Sequence, residues 1–289
     1  MTPKIYDFLR YRKFALTLSL FFFLLTTASF ITRGLNIGVD FLGGTVLEVR
    51  NKETLHPKNI RSFFAERGFR SYLQVDGNDS VRIQLNSKHG CADNCIDHLK
   101  QDFLSIHPNS TILSTEFIGP KASADLIINT ILSITVAIVI MAGYVAVRFN
   151  WRFSLASAIA LLQNIFFTMG FFVLSQYEFN ITSLAAILTI IGYSINDSVV
   201  IFDKIRTNAR QGLNIISPEL INASINDTLS RTMMTLLTTM AACVTLWSYG
   251  GESLESFSGA TTFGIAFGTY SSIFTVSNVL LCFKGSHVF

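Results

Sequence analysis

The chain has 289 residues, of which 50% are hydrophobic and only 14% are charged. Soluble domains carry about 25% charged residues, so this composition excludes an ordinary globular protein and indicates an integral membrane protein. The net charge is only +3 and no stretch forms a basic arm, so nucleic acid is not expected as a partner.

Six segments are long and apolar enough to cross a bilayer, because a spanning helix needs about 20 mainly apolar residues. The first could instead be a secretory signal peptide, since basic residues precede it. Its apolar run is long and its small-residue site at 27–29 matches a cleavage site only weakly, so we favour an uncleaved anchor. The six predicted spans are 14–31, 125–147, 153–174, 181–202, 232–249 and 257–283.

The distribution of Lys and Arg predicts the orientation, because cytoplasmic loops carry an excess of both. Basic residues precede the first span, lie between spans two and three and between spans four and five, and follow the sixth. The two short loops on the other side contain Glu178, Glu252 and Glu255 but no Lys or Arg. Both termini are therefore predicted to lie in the cytoplasm.

The segment 33–124 is the one loop large enough to fold, and the orientation places it outside the cytoplasm. Its β-branched residues, alternating apolar residues and turn residues predict a strand–helix–strand–strand–helix–strand order. This βαββαβ order is that of the ferredoxin-like split βαβ motif. The predicted strands are 44–50, 71–75, 80–85 and 110–118, the helices are 57–67 and 91–106, and a turn lies at 76–79.

The sequence thus predicts a polytopic α-helical membrane protein with six transmembrane helices and one small extracytoplasmic α+β domain. The predicted division is 1–32 for the cytoplasmic N-terminus and first helix, 33–124 for the periplasmic ferredoxin-like domain, and 125–289 for the other five helices, with a cytoplasmic loop at 203–231. A separate helix lying at the membrane interface is predicted over 217–230, because a Ser suited to an N-cap is followed by Pro.

Four candidate zinc ligands fall within ten residues of the predicted domain: His89, Cys91, Cys95 and His98. Zinc sites usually join two separated pairs of ligands, whereas here one short segment supplies all four. We therefore predict no metal site. A disulfide and two free thiols both remain open for the two cysteines.

Asp197 is the most informative residue, because it lies inside the otherwise apolar span 181–202. An Asp at the centre of a membrane helix costs about 2.5 to 3.5 kcal/mol, and residues kept at that cost usually serve a transport pathway, a proton relay or a counter-ion. The alternative is a structural hydrogen bond to a neighbouring helix, aided by Asn196 and Ser198. We favour the functional role.

A proton on Asp197 would remove its charge, and release of the proton would restore a charge that needs a partner. Arg231 is the best cationic candidate, since a long Arg side chain can reach into the membrane. Switching between the paired and neutral states could bias two arrangements of the helices. Asn196 and Asp203 complete the candidate proton pathway, although an ion pair at the membrane surface is the preferred interpretation of Asp203.

Two glycine patterns indicate tight backbone packing. The segment after the first span holds three glycines around an acidic residue, which we interpret as a structural junction between span and domain rather than a transport element. This junction motif consists of Gly38, Asp40, Gly43 and Gly44. In the last span, Gly264 and Gly268 form a GxxxG pattern, which permits close approach of helices.

Five motifs occur in a fixed order along the chain. They are 38–44 (GVDFLGG), 119–120 (GP), 148–152 (RFNWR), 190–206 (IIGYSINDSVVIFDKIR) and 228–232 (TLSRT). Together they resemble the ordered motifs of the SecF family of protein-export membrane proteins, and the resemblance covers nearly the whole chain. In that family the block that contains Asp197 belongs to the fourth span.

The resemblance implies an accessory subunit that acts with SecD beside the SecYEG translocon in a bacterial inner membrane, with the membrane insertase as a further partner. It implies six spans in each partner, contact with membrane lipid, and extracytoplasmic domains that engage an unfolded polypeptide. It also implies use of the proton-motive force, as in the RND-type superfamily to which SecD and SecF belong. No cofactor is implied.

The chain departs from the family at Gln163 and Asn164 in the third span, where many members have His-Asp. A proton role of that pair therefore cannot be carried over, but both amides can still form hydrogen bonds between helices. We assign Gln163, Asn164, Gly192 and Tyr193 to helix packing and a polar network.

Two other functions were weighed against export. One half of an RND-type proton-coupled solute transporter is an alternative, although such pumps usually carry two six-helix halves and larger outer domains on one chain. A passive translocon scaffold with a structural Asp197 is the other, and the sequence does not exclude it. An enzyme is not expected, because the chain contains no HExxH, P-loop or GxSxG motif.

Overall fold

The computed structural model describes residues 6–51, 57–67, 70–76, 80–86, 93–212 and 214–288. Long apolar helices make up most of these residues, and four strands form one sheet. In chain order the elements are a short 3-10 helix (Phe8–Tyr11), α1 (Arg12–Thr32), α2 (Val39–Leu42), β1 (Gly44–Asn51), α3 (Pro57–Glu66), β2 (Arg70–Asp76), β3 (Ser80–Asn86), α4 (Asp93–Ile106), β4 (Ser110–Ile118), α5 (Pro120–Arg148), α6 (Trp151–Ser175), α7 (Ile181–Gln211), α8 (Pro218–Tyr249), α9 (Glu252–Tyr270), a π-helical turn (Ser271–Thr275) and α10 (Val276–Leu281).

Six helical stretches in the described residues are long and apolar enough to cross a membrane, which confirms the predicted number. Five of them contain α1, α5, α6, α7 and α8. The sixth runs from α9 through the π-helical turn into α10. The chain is therefore a multi-pass membrane protein that also contains a small sheet.

The predicted interfacial helix over 217–230 is wrong, because these residues form the first turns of α8 instead of a separate helix. Ser217 does cap the helix, since its hydroxyl accepts a hydrogen bond of 3.2 Å from the Leu220 amide. No Gly or Pro follows Pro218 within α8, so nothing ends the helix at the membrane surface.

α7 also extends further than the predicted span, which ends at residue 202. The helix continues to Gln211 and stops at Gly212, a residue type that commonly ends helices. Most of the predicted cytoplasmic loop 203–231 is therefore helical, and the connection between α7 and α8 is short.

The chain divides into two compact units. One contains Ile37–Ile131 and Gly251–Ser253, and it holds the sheet. The other contains Met1–Asn36, Leu132–Gly250 and Leu254–Phe289, and it holds most of the membrane-spanning residues. The domain boundaries expected from the sequence stay a prediction.

The sheet has four antiparallel strands in the order β2-β3-β1-β4. Its unit follows the expected sequence of strand, helix, strand, strand, helix, strand. A bulge between Glu48 and Val49 shifts the register of β1 against β4. Apolar residues of α3 and α4 close one core with those of the strands. The buried core side chains are Leu47, Val49, Ile60, Phe63, Phe64, Val81, Ile83, Leu85, Leu99 and Phe103.

Part of the candidate zinc segment lies outside the described residues. His89 and Cys91 lie outside the described residues, as do residues 77–79 of the predicted turn, whereas His98 lies in α4 with an exposed side chain. Within the described ranges, no group of three or more His, Cys, Asp or Glu side chains is arranged to hold a metal ion.

Small residues let the helices of the membrane unit approach closely. Gly170 of α6 lies against Thr26 of α1, with no room for a side chain between the two helices. Gly264 of α9 lies in the same way against the side chain of Ile190 in α7. These contacts hold α1 on α6 and α9 on α7, and so set the positions of the polar side chains on these helices.

The contact at Gly170 predicts that Gly170→Ala destabilises the protein. The new methyl group would overlap Thr26, and such overpacking typically costs about 1 to 3 kcal/mol. Gly143→Ala in α5 is the matched control, because a Cβ there meets nothing within 4 Å and Ala favours a helix over Gly. The free energy of unfolding in mixed micelles should fall for Gly170→Ala only, and adding Thr26→Ala should restore part of it. Equal stability of the two single variants would contradict this packing.

Candidate functional site

Asp197 lies about 24 Å along the axis of α7 from its first residue. Its side chain is only 2% exposed, and its Oδ2 accepts a hydrogen bond of 3.0 Å from the hydroxyl of Thr269 in α9. Among the described residues, this hydroxyl is the one hydrogen-bond partner of the carboxyl group. The structure thus encloses a carboxyl group in the helix bundle with a single neutral donor.

Arg231, the predicted cationic partner, does not form an ion pair with Asp197. No nitrogen–oxygen contact within 4.0 Å joins the two side chains, both of which the structure describes, and Arg231 is exposed on α8. Arg231 still attracts the carboxylate electrostatically from the neighbouring helix. The two groups are therefore near each other without being joined.

The other two candidates for the proton pathway lie away from this carboxyl group. Asn196 is exposed, so the structure does not bring its amide to Asp197 although the two are adjacent in sequence. Asp203 is also exposed, and its Oδ1 lies 3.8 Å from a guanidinium nitrogen of Arg148 at the end of α5. This geometry is that of an ion pair between the end of α5 and the side of α7.

Gln163 joins α6 to α1 and to the last span. Its Nε2 donates to Ser19 Oγ at 3.0 Å, and its Oε1 accepts from Thr275 Oγ1 at 2.8 Å. The Tyr270 hydroxyl donates its proton to the Ala15 carbonyl at 2.6 Å. In the 2.9 Å contact between Ser19 and Tyr270, the Ser19 hydroxyl is therefore the donor and the Tyr270 oxygen the acceptor. Each polar group in this network has a partner within the chain, so the network is structural.

Asn164 differs from its neighbour Gln163. The Asn164 side chain is 1% exposed, and neither Nδ2 nor Oδ1 has a hydrogen-bond partner in the part of the chain that the structure describes. It faces Gly268 of α9, where a Cβ would lie 2.9 Å from Nδ2. Because Gly268 directly precedes Thr269, the unpaired amide and the hydrogen bond to Asp197 lie in the same region of the bundle.

Gly192 and Tyr193 do not join the predicted polar network. No heavy atom of the described chain lies within 4 Å of the position that a Cβ on Gly192 would take, so this glycine makes no close helix contact. The Tyr193 hydroxyl faces Thr235 and Thr239 of α8, but no hydrogen bond of normal geometry forms with the described residues. Tyr193 therefore faces α8, whereas the partners of Gln163 lie on α1 and the last span.

The π-helical turn Ser271–Thr275 was not predicted from the sequence. Such turns are rare and occur frequently at functional sites, and they disturb the regular backbone hydrogen bonds of a helix. Here Ser271 Oγ donates to the Ala160 carbonyl of α6 at 3.1 Å, and Ser272 Oγ donates to the Thr269 carbonyl at 2.9 Å. The Ser-Ser pair is the available sequence signal, because hydroxyl side chains can satisfy freed backbone groups in membrane helices.

The predicted junction motif forms the short helix α2 with glycines on both sides. Gly38 precedes the helix, Asp40 lies within it half-buried, and Gly43 and Gly44 follow it. Gly43 has φ +72° and Gly44 has φ +146°, backbone conformations that L side chains rarely adopt. A Cβ on Gly43 would also lie 3.0 Å from Ser123 Oγ. The motif therefore has the geometry of a tight turn into β1.

Two family models match the chain. The model for the protein export membrane protein SecD/SecF, C-terminal, matches residues 98–286, which include Asp197, Asn164 and Thr269. The model for the SecD/SecF GG motif matches residues 28–50, which include the junction glycines. The two matches thus cover the buried polar site and the turn into β1.

Curated relatives and a solved structure are similar over most of the chain. The protein translocase subunit SecF of Rickettsia bellii is 38% identical over 286 residues, which cover 96% of this chain and 93% of the relative. SecF of Cereibacter sphaeroides is 35% identical over 277 residues, which cover 91% and 85%. The crystal structure of SecDF, a translocon-associated membrane protein from Thermus thermophilus, matches 96% of this chain with a TM-score of 0.85 and 33% identity.

The lengths of the matched proteins differ. The chain spans nearly all of the curated SecF relatives but only 38% of the Thermus SecDF chain. The family model alone covers more than half of the chain, and the identity to the Rickettsia relative extends over almost all of it. The chain therefore belongs to the SecD/SecF family of protein-export membrane proteins, as a SecF-type member.

Proposed function

We propose that this chain is an accessory subunit of the Sec protein-export machinery, which acts with a SecD partner and uses the proton-motive force to promote translocation of secreted proteins. The observation that carries the proposal is the carboxyl group of Asp197, which is 2% exposed inside a spanning helix and has one neutral donor. A charge there is costly unless a cation or a proton neutralises it. No cationic side chain of the described residues lies within 4.0 Å of it, so a proton fits the site.

Proton uptake at Asp197 would change its bonding to α9. A charged carboxylate accepts a strong hydrogen bond from Thr269, whereas the protonated acid is a weaker acceptor and carries a donor of its own. Thr269 lies two residues before the π-helical turn, and its carbonyl accepts a hydrogen bond from Ser272 within that turn. The charge on one carboxyl group therefore acts on the least regular part of the last span.

The energy available from the gradient is sufficient for such a step. Moving one elementary charge across the membrane is worth about 2.3 kcal/mol per 100 mV. Each 1.4 kcal/mol changes an equilibrium constant about tenfold, so one proton can shift a two-state equilibrium by more than one order of magnitude. In this proposal the two states differ in whether α7 and α9 are joined at Asp197.

The exposed surface of α8 supports a SecD-type partner. Arg231, Thr238 and Thr245 are exposed on this helix. The two threonine hydroxyls donate to carbonyls of their own helix, but Arg231 carries a charge that lipid tails cannot satisfy. The SecDF relative, of which this chain matches 38%, supports a SecD-type segment as the cover for this face. Its description as translocon-associated supports SecYEG as the neighbouring assembly and an unfolded polypeptide as the cargo.

The proposed location is the bacterial inner membrane, with both termini in the cytoplasm. Two ion pairs lie where the excess of Lys and Arg predicts the cytoplasmic side. Arg148 of α5 lies 3.8 Å from Asp203 of α7, and Lys204 of α7 lies 3.3 Å from Asp227 of α8. These pairs join three spanning helices at the same end of the membrane unit.

Asp197→Asn should remove the proton-driven part of export, because Asn keeps the shape of the side chain but cannot take up a proton. The measurement is import of a precursor into inverted membrane vesicles that contain the chain and SecD, with and without a proton gradient, at matched expression. Asp203→Asn is the control on the same helix, since Asp203 is exposed. The increment caused by the gradient should fall several-fold in Asp197→Asn and stay near the wild-type value in Asp203→Asn.

Assembly with SecD has to be followed in the same membranes by affinity co-purification. If Asp197→Asn assembles normally and keeps the full gradient-dependent increment, the carboxyl group has no proton role. If Asp197→Asn prevents assembly itself, the residue is structural and the chain acts as a scaffold.

Thr269→Val should weaken the attachment of α9 to α7, because it removes the donor to Asp197 with little change in shape. A hydrogen bond to a charged group contributes about 1.5 to 3 kcal/mol. Thr261→Val is the control on the same helix, since Thr261 is as buried as Thr269, at 2% against 3% exposed, but donates to the carbonyl of Phe257 in its own helix. The free energy of unfolding in mixed micelles should fall more for Thr269→Val than for Thr261→Val.

A double-mutant cycle tests whether Thr269 acts through Asp197. In the Asp197→Leu background the acceptor is gone, so Thr269→Val should cost much less than in the wild-type background. Equal costs in the two backgrounds would show that the hydrogen bond contributes nothing to the packing of α9.

A further inference from the structure

A groove in the membrane unit is lined by residues of α1, α6 and the last span. Its volume is about 780 Å³, within the range of about 300 to 1,000 Å³ that is usual for ligand sites. The lining residues of α1 recur every three or four positions, so they form one face of that helix. Most of the side chains in the wall are apolar, among them Leu16, Leu20, Phe23, Ile159, Phe167 and Phe274.

The groove is about as long as one leaflet of a bilayer. Along α1 it extends from Arg12 to Phe23, which is about 17 Å at 1.5 Å per residue. Along the last span it extends over a similar distance, from Cys282 back to Tyr270. The hydrocarbon core of a bilayer is about 30 Å thick, so the groove covers about half of it. This length suits the acyl chain of a lipid in one leaflet.

One end of the groove is basic. Arg12 and Lys13 line it there, both side chains are exposed, and neither forms an ion pair with a described residue. None of the described residues that line the groove is acidic. Asp7 and Glu219 line a separate cavity of about 360 Å³ that shares Arg12 with the groove. The two basic side chains therefore complement a negatively charged group at this end.

The polar side chains deeper in the groove already have partners. Gln163 is bonded through both polar atoms of its amide, to Ser19 and to Thr275. The Tyr270 hydroxyl donates to the Ala15 carbonyl and accepts from Ser19. A hydrocarbon chain forms no hydrogen bonds, so it can lie against these groups without leaving any of them unpaired.

We propose that this groove binds an acidic phospholipid, with an acyl chain along its apolar walls and the headgroup at Arg12 and Lys13. Basic pockets between spanning helices on the cytoplasmic side bind acidic headgroups, and each Lys or Arg near that surface adds to the attraction. In the proposed orientation the basic end faces the cytoplasm, so the lipid belongs to the inner leaflet. The bound lipid contacts three spanning helices at once and becomes part of their packing.

Native mass spectrometry of the full chain with SecD, released from detergent micelles, tests the headgroup part of the site. The probes are phosphatidylglycerol and phosphatidylethanolamine with identical acyl chains, of which only the first carries a net charge. The wild type should retain phosphatidylglycerol in preference, and Arg12→Gln with Lys13→Gln should lower that preference about tenfold. The matched control is Arg10→Gln with Lys284→Gln, which removes the same charge from exposed residues that do not line the groove, and it should keep most of the preference.

A second pair of variants tests the acyl-chain part. Leu20 and Leu24 lie one turn apart on α1 and are similarly exposed, at 56% and 58%, but of these two only Leu20 lines the groove. Leu20→Trp should lower the retention of phosphatidylglycerol several-fold, because the indole ring occupies the groove, whereas Leu24→Trp should leave it near the wild-type value. This pair decides the matter even if the variant that lacks both charges does not assemble.

Three results would each overturn the proposal: equal retention of the two lipids by the wild type, equal losses in the two charge variants, and equal retention by the two Trp variants. A SecD segment seated in the groove would exclude the lipid and give the first of these results. Lipid retention is measured without export, so the outcome is independent of whether Asp197 takes up a proton.

Discussion

The hydrogen bond between Thr269 and Asp197 is the contact on which the arrangement of the buried site depends. Inside a membrane, an unpaired polar group costs several kcal/mol, so a carboxyl group has to find its partner on a neighbouring helix. Donor and acceptor have to remain about 3 Å apart, which fixes the rotation of α9 relative to α7. Other hydroxyl groups of the same helix, such as those of Thr261 and Thr262, donate to their own backbone and fix no neighbour. This contact therefore fixes α9 against α7, while the Tyr270 hydroxyl holds the end of the same helix to the Ala15 carbonyl of α1.

Two glycines decide what surrounds that contact. Gly264 and Gly268 lie one turn apart on the same face of α9. The first admits an apolar side chain, Ile190, and the second borders the amide of Asn164. The interface thus changes from apolar to polar within one turn. The π-helical turn begins three residues after Gly268, directly beyond Thr269 and Tyr270. The polar chemistry, the close contact with Asn164 and the irregular backbone coincide because the same segment of the last span provides all three.

Sequence patterns located Asp197 and the six spans because a charge in an apolar run is visible without any knowledge of packing. These patterns could not show that the Asn164 and Gln163 side chains have different environments. The two amides point about 100° apart around α6, so one meets Ser19 and the other meets Gly268, and only the packing of three helices determines this. The separate helix expected over 217–230 was wrong for a related reason. An N-cap marks where a helix begins, but whether that helix ends before the membrane depends on a breaker, and α8 has none after its first turn.

The charged groups of the membrane unit differ in whether they can respond to a proton gradient. The ion pairs of α7 with α5 and α8 have side chains that are a third or more exposed, where such pairs contribute about 1 kcal/mol or less. A carboxylate joined to a buried cation would have to break that pair, at considerable cost, before it could accept a proton. Asp197 is held by a neutral hydroxyl while Arg231 remains on the exposed side of α8. The separation of these two residues is therefore what leaves the charge of Asp197 free to change, and in the proposed function that change decides whether α7 and α9 stay joined at Asp197.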